Sequence, residues 1–395
     1  MTLTRALTPS FLEVLAAVGL SGRDNRGGYQ TEGDVLVNKS KDGIDLNVIW
    51  DKITAATTEY NKQRSALASV LSFWTTDTGD AIPQGIVQAT MEEASEFGVP
   101  TSVGTPTALP LGYRLKDFDR RESFTWRFLR SATAKQIYDS ANSIMVADNA
   151  LINGSILKRL FDPQELTNEH ARRVFGLWNG DGVVPPPYMG QAFDGNHSHY
   201  FISQGSGLDS ADVEDAMNHV THHGYGVAPG SQLLILCNPA EGDVIASWRA
   251  GVESATGIKA KYDFVPSTSA PAFMTNESIV GAQAPASYGN LPVAGSYGRA
   301  WVISHAYVPA GYVAVVASGG ANSPSNPIVV RQWDDPTYQG LRVIPGAGKY
   351  PLVDSFYQRT FGVGTRHRGA ACVVQVKASG SYTAPTSIEP VGIGI

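Results

Sequence analysis

Histidines are the side chains in this sequence best placed to do chemistry. His197 and His199 stand two apart in Gly195-Asn-His-Ser-His, and His219 and His223 stand four apart in a run patterned as a helix. An i, i+4 pair sets two imidazoles on one helix face, where they reach a single metal ion. No His-Glu-x-x-His accompanies them, and no carboxylate or cysteine completes either pair at a recognisable spacing. The competing reading places His219, His222 and His223 in the last helical turn, where imidazole donors suit the C-terminal end of the dipole. We therefore expect no metal, no cofactor and no catalytic residue. A metal-dependent hydrolase using His197, His199, His219 and His223 is kept as the alternative from another class.

Phosphate-binding loops are weaker still. Pro345-Gly-Ala-Gly-Lys-Tyr350 resembles the end of a P-loop, but Val343 stands where the first glycine belongs and Tyr350 where Ser or Thr must reach magnesium. Gly362-Val-Gly-Thr-Arg-His-Arg-Gly369 misses the spacing of the dinucleotide fingerprint. There is no G-x-S-x-G elbow.

Composition narrows the classes further. The 395 residues are 43% hydrophobic with 41 Gly and 23 Pro, which describes a folded, turn-rich chain long enough for two or three domains. Thirty Lys and Arg against 36 Asp and Glu give a net charge of -6, against the excess positive charge a dedicated nucleic-acid binder needs. Cys237 and Cys372 are the only cysteines, so neither a disulfide framework nor a thiolate metal site is expected, and a reducing cytosol fits. No stretch offers the roughly 18 uninterrupted apolar residues of a membrane span.

The elements that would position these groups follow from periodicity. Residues 1–20 read as a short amphipathic helix capped by Ser10, and 21–43 as a polar, glycine-bearing arm. Leu46, Ile49, Ile53, Ala56, Tyr60, Leu67, Val70 and Leu71 predict a helix within 44–74. Residues 86–130 read as one extended segment, turning in the region of Gly98, Pro100, Gly104, Pro106, Pro110 and Gly112 and ending in a charged, alternating strand over 113–128. A helix of about 46 Å is predicted over 131–161, its apolar stripe interrupted by Asp148 and Asn149 and its end set by Pro163. A third helix is predicted over 210–223, capped by Asp209 or Ser210 and stopped by Gly224. The all-apolar Leu233–Cys237 predicts a central strand covered on both faces, and short strands recur at 291–294, 300–304, 312–317, 328–333 and 372–376. Without regular βαβ alternation the fold class is α+β. The tail after Ala378 reads as loosely held.

Arg114, Lys116, Asp117, Asp119, Arg120, Arg121 and Glu122 mix signs within nine residues, and Arg366 and Arg368 flank His367. Such groups either form a solvated face or fix register against a neighbouring subunit, and a strand lying on a neighbour would also close an aggregation-prone edge.

Six strings stand out: Met91-Glu-Glu-Ala-Ser-Glu-Phe-Gly-Val-Pro100, Phe124-Thr-Trp-Arg-Phe-Leu129, Asp194-Gly-Asn-His-Ser-His-Tyr200, His222-His-Gly-Tyr-Gly226, Tyr350-Pro-Leu-Val-Asp-Ser-Phe-Tyr357 and the 362–369 segment. They resemble the Hong Kong 97-type major capsid protein of tailed bacteriophages, in particular those of phages infecting actinobacteria. The resemblance spans about residues 40–377 and implies an order of parts: N-terminal arm and helix in 1–75, extended E-loop in 76–130, P-domain in 131–200 with its spine helix at 131–161, A-domain in 201–321, and the rest of the P-domain with the C-terminal tail in 322–395. It implies a virion shell of hexamers and pentamers, assembled in the host bacterial cytoplasm around double-stranded DNA that is bound without sequence specificity. A portal protein and decoration proteins would be partners; no membrane is involved. Too few residues precede Ile44 for the scaffolding region many members carry, so a separate scaffolding protein is expected. Some relatives join an E-loop lysine to a P-domain asparagine, for which Lys116 with Asn322 or Asn326 would be the pair. An encapsulin-like compartment shell is the alternative within the fold.

Overall fold

In the computed structural model, residues 37–85, 91, 93, 96, 98–99, 108–270, 279, 281–386 and 388 are described. The helix expected in 1–20, most of the following arm and Pro100, Gly104 and Pro106 of the expected turn lie outside these residues, whereas Pro110 and Gly112, expected in the same turn, lie in a paired strand.

Asp45 opens helix α1 (Leu46–Lys62) by accepting the Asn47 amide at 2.9 Å, and the helix buries Leu46, Ile49, Ile53 and Thr57. The single helix expected in 44–74 is in fact divided. Gln63 is extended, Ser65 caps a second helix, α2 (Ala66–Leu71), and strand β1 (Ser72–Thr75) follows. Strands β2 (Gly79–Pro83) and β3 (Ala108–Gly112) form an antiparallel pair.

The charged strand is shorter than its alternation suggested. Only β4 (Lys116–Ser123) is extended; Thr125 then accepts the Phe128 amide and starts α3 (Trp126–Ser131). Ala132 breaks the backbone, and Thr133 with Gln136 forms a reciprocal capping box at the head of α4 (Ala134–Phe161). The long helix thus starts three residues later than expected and spans about 42 Å.

After β5 (Tyr200–Ile202), α5 (Ser210–Thr221) is capped by Asp209 in a second capping box with Asp212, and Gly224 follows at φ 86°, as its sequence predicts. Then come β6 (Gln232–Cys237), α6 (Pro239–Ala246), β7 (Phe264–Pro266), β8 (Gly295–Tyr297), β9 (Ala300–Ser304) and β10 (Tyr312–Ser318). The chain continues through β11 (Ile328–Gln332), β12 (Leu341–Ile344), β13 (Asp354–Thr365) and β14 (Ala371–Gln375).

Two sheets organise these strands. A mixed seven-stranded sheet runs β7-β8-β9-β6-β10-β14-β5, with β6 in its middle as expected. Its alternate residues feed two cores. Leu234, Leu236, Ile303, Ala314 and Val316 share one with Ile156, Leu157, Leu160 and Phe161 of α4, while Leu233, Ile235, Val302, Val313 and Val315 share the other with Val213, Ala216, Met217 and Val220 of α5. Each fully buried Val, Leu or Ile among them contributes about 1.5–3 kcal/mol relative to exposure. The second sheet runs β1-β11-β13-β12, and β4 also pairs with the twelve-residue β13, from Ser123 opposite Asp354 to Lys116 opposite Phe361. The N-terminal half of α4 packs against this sheet together with α1. The architecture is α+β, with the long helix running from the core it shares with α1 to one of the two cores of the seven-stranded sheet.

Gly362 and Gly364 find their explanation here. A Cβ on Gly362 would lie 1.5 Å from the Arg114 carbonyl oxygen, and one on Gly364 would lie 2.5 Å from the Tyr113 ring. These glycines admit the chain that leads into β4, which is a structural demand and not phosphate binding.

Candidate subunit interface and histidine cluster

β4 pairs with β13 alone, so among the described residues its other edge is open. Its exposed charged residues are Lys116, Asp117, Asp119, Arg120 and Arg121, with Arg114 half-buried just before it. Two of these also act within the chain. Thr360 donates to Asp117, and Arg121 grips Asp354 with two bonds of 2.6 and 3.0 Å; with side chains 60% and 43% exposed, that pair is worth little.

Three of the charges grouped with them by sequence are turned inward. Glu122, on the same face of the strand as Arg120, is buried at its end, where it accepts the Tyr357 hydroxyl at 3.1 Å, and burial pushes its carboxyl up from the ordinary range. Arg366 is partly buried: it donates to Asp80 at 2.6 Å and to the Pro324 carbonyl at 3.0 Å, and lies over the Phe73 ring. Arg368 has no exposed surface. Its guanidinium sits 4.5 Å from the centre of the Phe175 ring and 4.1 Å from that of Trp178, and donates to Asp181 at 2.7 Å and to the Gly176 carbonyl at 3.1 Å. Glu122 and Arg368 are therefore corrections to the expected surface: Tyr357 of β13 and the buried ring pocket give them partners inside the subunit. The proposed crosslink to Asn326 meets the same objection, since its buried amide donates to the Ser72 and Gly320 carbonyls and accepts the Gly319 amide.

One pairing was not anticipated at all. Asp148, expected only as a flaw in the apolar stripe of α4, is bound by both Arg359 from β13 and Tyr60 from α1, and all but a few per cent of the Asp148 and Arg359 side chains is buried. The available signal was a carboxylate placed on an otherwise apolar helix face.

The histidines do come together, though not in the expected set. One ring nitrogen from each of His197, His199, His222 and His223 lies within 4.8 Å of the others. The sequence had paired His223 with His219, but the His219 Nδ1 instead bonds the Asp215 carbonyl at 2.8 Å, one helical turn back, a carbonyl inside the helix and not one of its last four. His222 and His223 leave the end of α5 and meet His197 and His199, which lead into β5. Phe193 covers the group, its ring centre 4.2 Å from that of His223 and about 5 Å from those of His197 and His222. Burial holds the His197 and His222 pKa down to about 4 and that of His223 to about 2, and puts that of His199 well below the usual range. All four are neutral imidazoles at physiological pH. No carboxylate belongs to this group among the described residues.

No protein-family model and no curated protein matches the chain. Among solved structures, one from Mycobacterium phage Patience is 38% identical, covering 92% of this chain and 96% of its own, with a TM-score of 0.67. The capsid of an empty GTA particle matches at 13% identity over 80% of this chain and 91% of its own, with a TM-score of 0.44. The holo-SrpI encapsulin complex of Synechococcus elongatus matches at 12% identity over 96% and 100%, with a TM-score of 0.39.

Proposed function

The chain belongs to the Hong Kong 97-type major capsid proteins of tailed bacteriophages, and from that premise we propose how it builds its shell and with what. The subunit assembles with copies of itself into the icosahedral head of the virion. The carrying observation is the 38% identity to the Mycobacterium phage Patience structure over 92% of the chain. Electron microscopy of the purified protein is expected to show closed icosahedral particles. A discrete small oligomer under all assembly conditions would overturn the reading, and closed shells that hold protein cargo and no DNA in native particles would favour the encapsulin-like alternative.

In this reading residues 1–75 act as the arm, 76–130 as the loop reaching toward a neighbour, 131–200 and 322–395 as the P-domain, and 201–321 as the A-domain. Strand pairings cross these boundaries: β1 lies beside β11, β4 beside β13, and β14 beside β10. A portal protein, a scaffolding protein, decoration proteins and packaged double-stranded DNA are the partners such a shell calls for, with assembly in the host cytoplasm. The role is structural, without catalysis.

The open edge of β4, with Arg114, Lys116, Asp117, Asp119, Arg120 and Arg121, is the contact surface we assign to a neighbouring subunit. Charges of both signs on an unpaired edge fix register, and in a shell each weak contact repeats with every copy. Reversing Lys116 and Arg120 to Glu together is expected to cut the yield of closed shells several-fold while leaving the subunit's circular dichroism and Tm unchanged. These two are chosen because Arg121 already serves Asp354. Undiminished assembly of the double variant at raised ionic strength and at low salt would remove this edge from the interface.

A further inference from the structure

The histidine cluster poses a problem of proton placement that shell formation does not address. The Nε2 atoms of His197, His199 and His223 form a triangle with sides of 3.0, 3.1 and 3.0 Å. The Nδ1 of His199 lies 2.6 Å from the Ala371 carbonyl oxygen, which can only accept, so Nδ1 carries the proton and Nε2 presents a lone pair. Every assignment for the other two rings then leaves a clash. If both are protonated at Nε2, two N–H groups face each other; if one or neither is, lone pairs face each other. The triangle is satisfied by three lone pairs directed at one cation. An ion at the usual Zn–N distance of about 2.0–2.1 Å from all three nitrogens would sit just off the plane of the triangle.

His222 supplies a fourth donor. Its Nε2 is buried and has no hydrogen-bond partner, and its ring centre lies 4.5 Å from that of His223 and 5.1 Å from that of His197. The remaining features suit a metal site: the His199 Nδ1 is tied to a backbone carbonyl, which fixes its tautomer and ring orientation, and Phe193 screens the group from solvent.

We propose that His197, His199, His222 and His223 bind one divalent first-row transition-metal ion in each subunit, with zinc as the cation whose tetrahedral preference fits four imidazoles. The site is closed and structural: it fastens the C-terminal end of α5 to the segment entering β5 and, through His199, to β14. Four protein donors and no carboxylate leave neither an open position nor a general base, which separates it from a hydrolase centre. The inference is independent of the shell reading.

Full-length protein, assembled or unassembled, would be stripped with EDTA, incubated with excess Zn(II), desalted and analysed by plasma mass spectrometry. The expected content is about one ion per subunit. Zinc should also raise the Tm of the stripped protein, and Co(II) loading should give the visible absorption of tetrahedral coordination. The His197→Asn/His222→Asn variant, changed at the two half-buried positions, should lose the ion, the Tm shift and the cobalt spectrum. Far less than one ion per subunit in folded wild-type protein, or a folded variant that keeps the wild-type metal content, would overturn the site. Should the variant fail to fold, the wild-type stoichiometry and cobalt spectrum decide alone.

Discussion

Replacing Asp148 with Ala is expected to destabilise the subunit by about 3–5 kcal/mol, the usual cost of removing one partner from a buried ion pair. Arg359 grips both oxygens of Asp148, with its Nε 2.7 Å from Oδ1, and Tyr60 donates to Oδ2 at 2.8 Å. Both charged side chains are about 95% buried, so without Asp148 the guanidinium would stand uncompensated between helix and sheet. Burial already pushes the Tyr60 phenol up, and it too would lose its acceptor. The loss would fall on the junction of α1, α4 and β13, the three elements this carboxylate ties together. Urea midpoints, or Tm where unfolding is irreversible, measure the effect. The control is Asp148→Leu with Arg359→Met, which removes both charges and should recover most of the loss. A single variant within about 1 kcal/mol of wild type would mean that water reaches the pair and that the pair behaves like a surface one.

The same residue shows where sequence reading stopped. Local signals were legible: Asp209 and Gly224 bracket α5, and the apolar run of β6 marks the middle of the larger sheet. Asp148 was visible as an exception in the stripe of α4, but its partners lie 88 and 211 residues away, and nothing local names them. The break before α4 was missed because Ala132 carries no helix-stop signal, although Thr133 and Gln136 spell a capping box. The histidine set was half legible for a geometric reason. A spacing of four favours His219 with His223 on a continuous helix, but the helix ends at Thr221 with His222 as its cap, and the His222 ring lies beside that of His197. Long-range pairing of β4 with β13 could not be separated from pairing with another copy, because a charged alternating strand suits either partner.

Loss of Arg368 is the second large effect, and it distinguishes a folding role from an interface role. The Arg368→Ala subunit should be less stable by about 3–5 kcal/mol, because Asp181 loses its cation and the Gly176 and Leu177 carbonyls lose donors in a pocket closed to water. Arg368→Lys should recover little of this. An ammonium is a compact point charge, whereas the guanidinium reaches Gly176 through Nε and Leu177, Asn179 and Asp181 through Nη2 while its plane lies near the Phe175 and Trp178 rings. Thermal unfolding of unassembled subunits is the deciding measurement, since a residue that acted only between subunits would leave them unchanged and weaken the shell alone. Wild-type Tm in unassembled Arg368→Lys, with fewer closed particles, would return Arg368 to the interface. The expected result is the reverse: the loss appears in the isolated chain, because every group this arginine touches belongs to the same subunit.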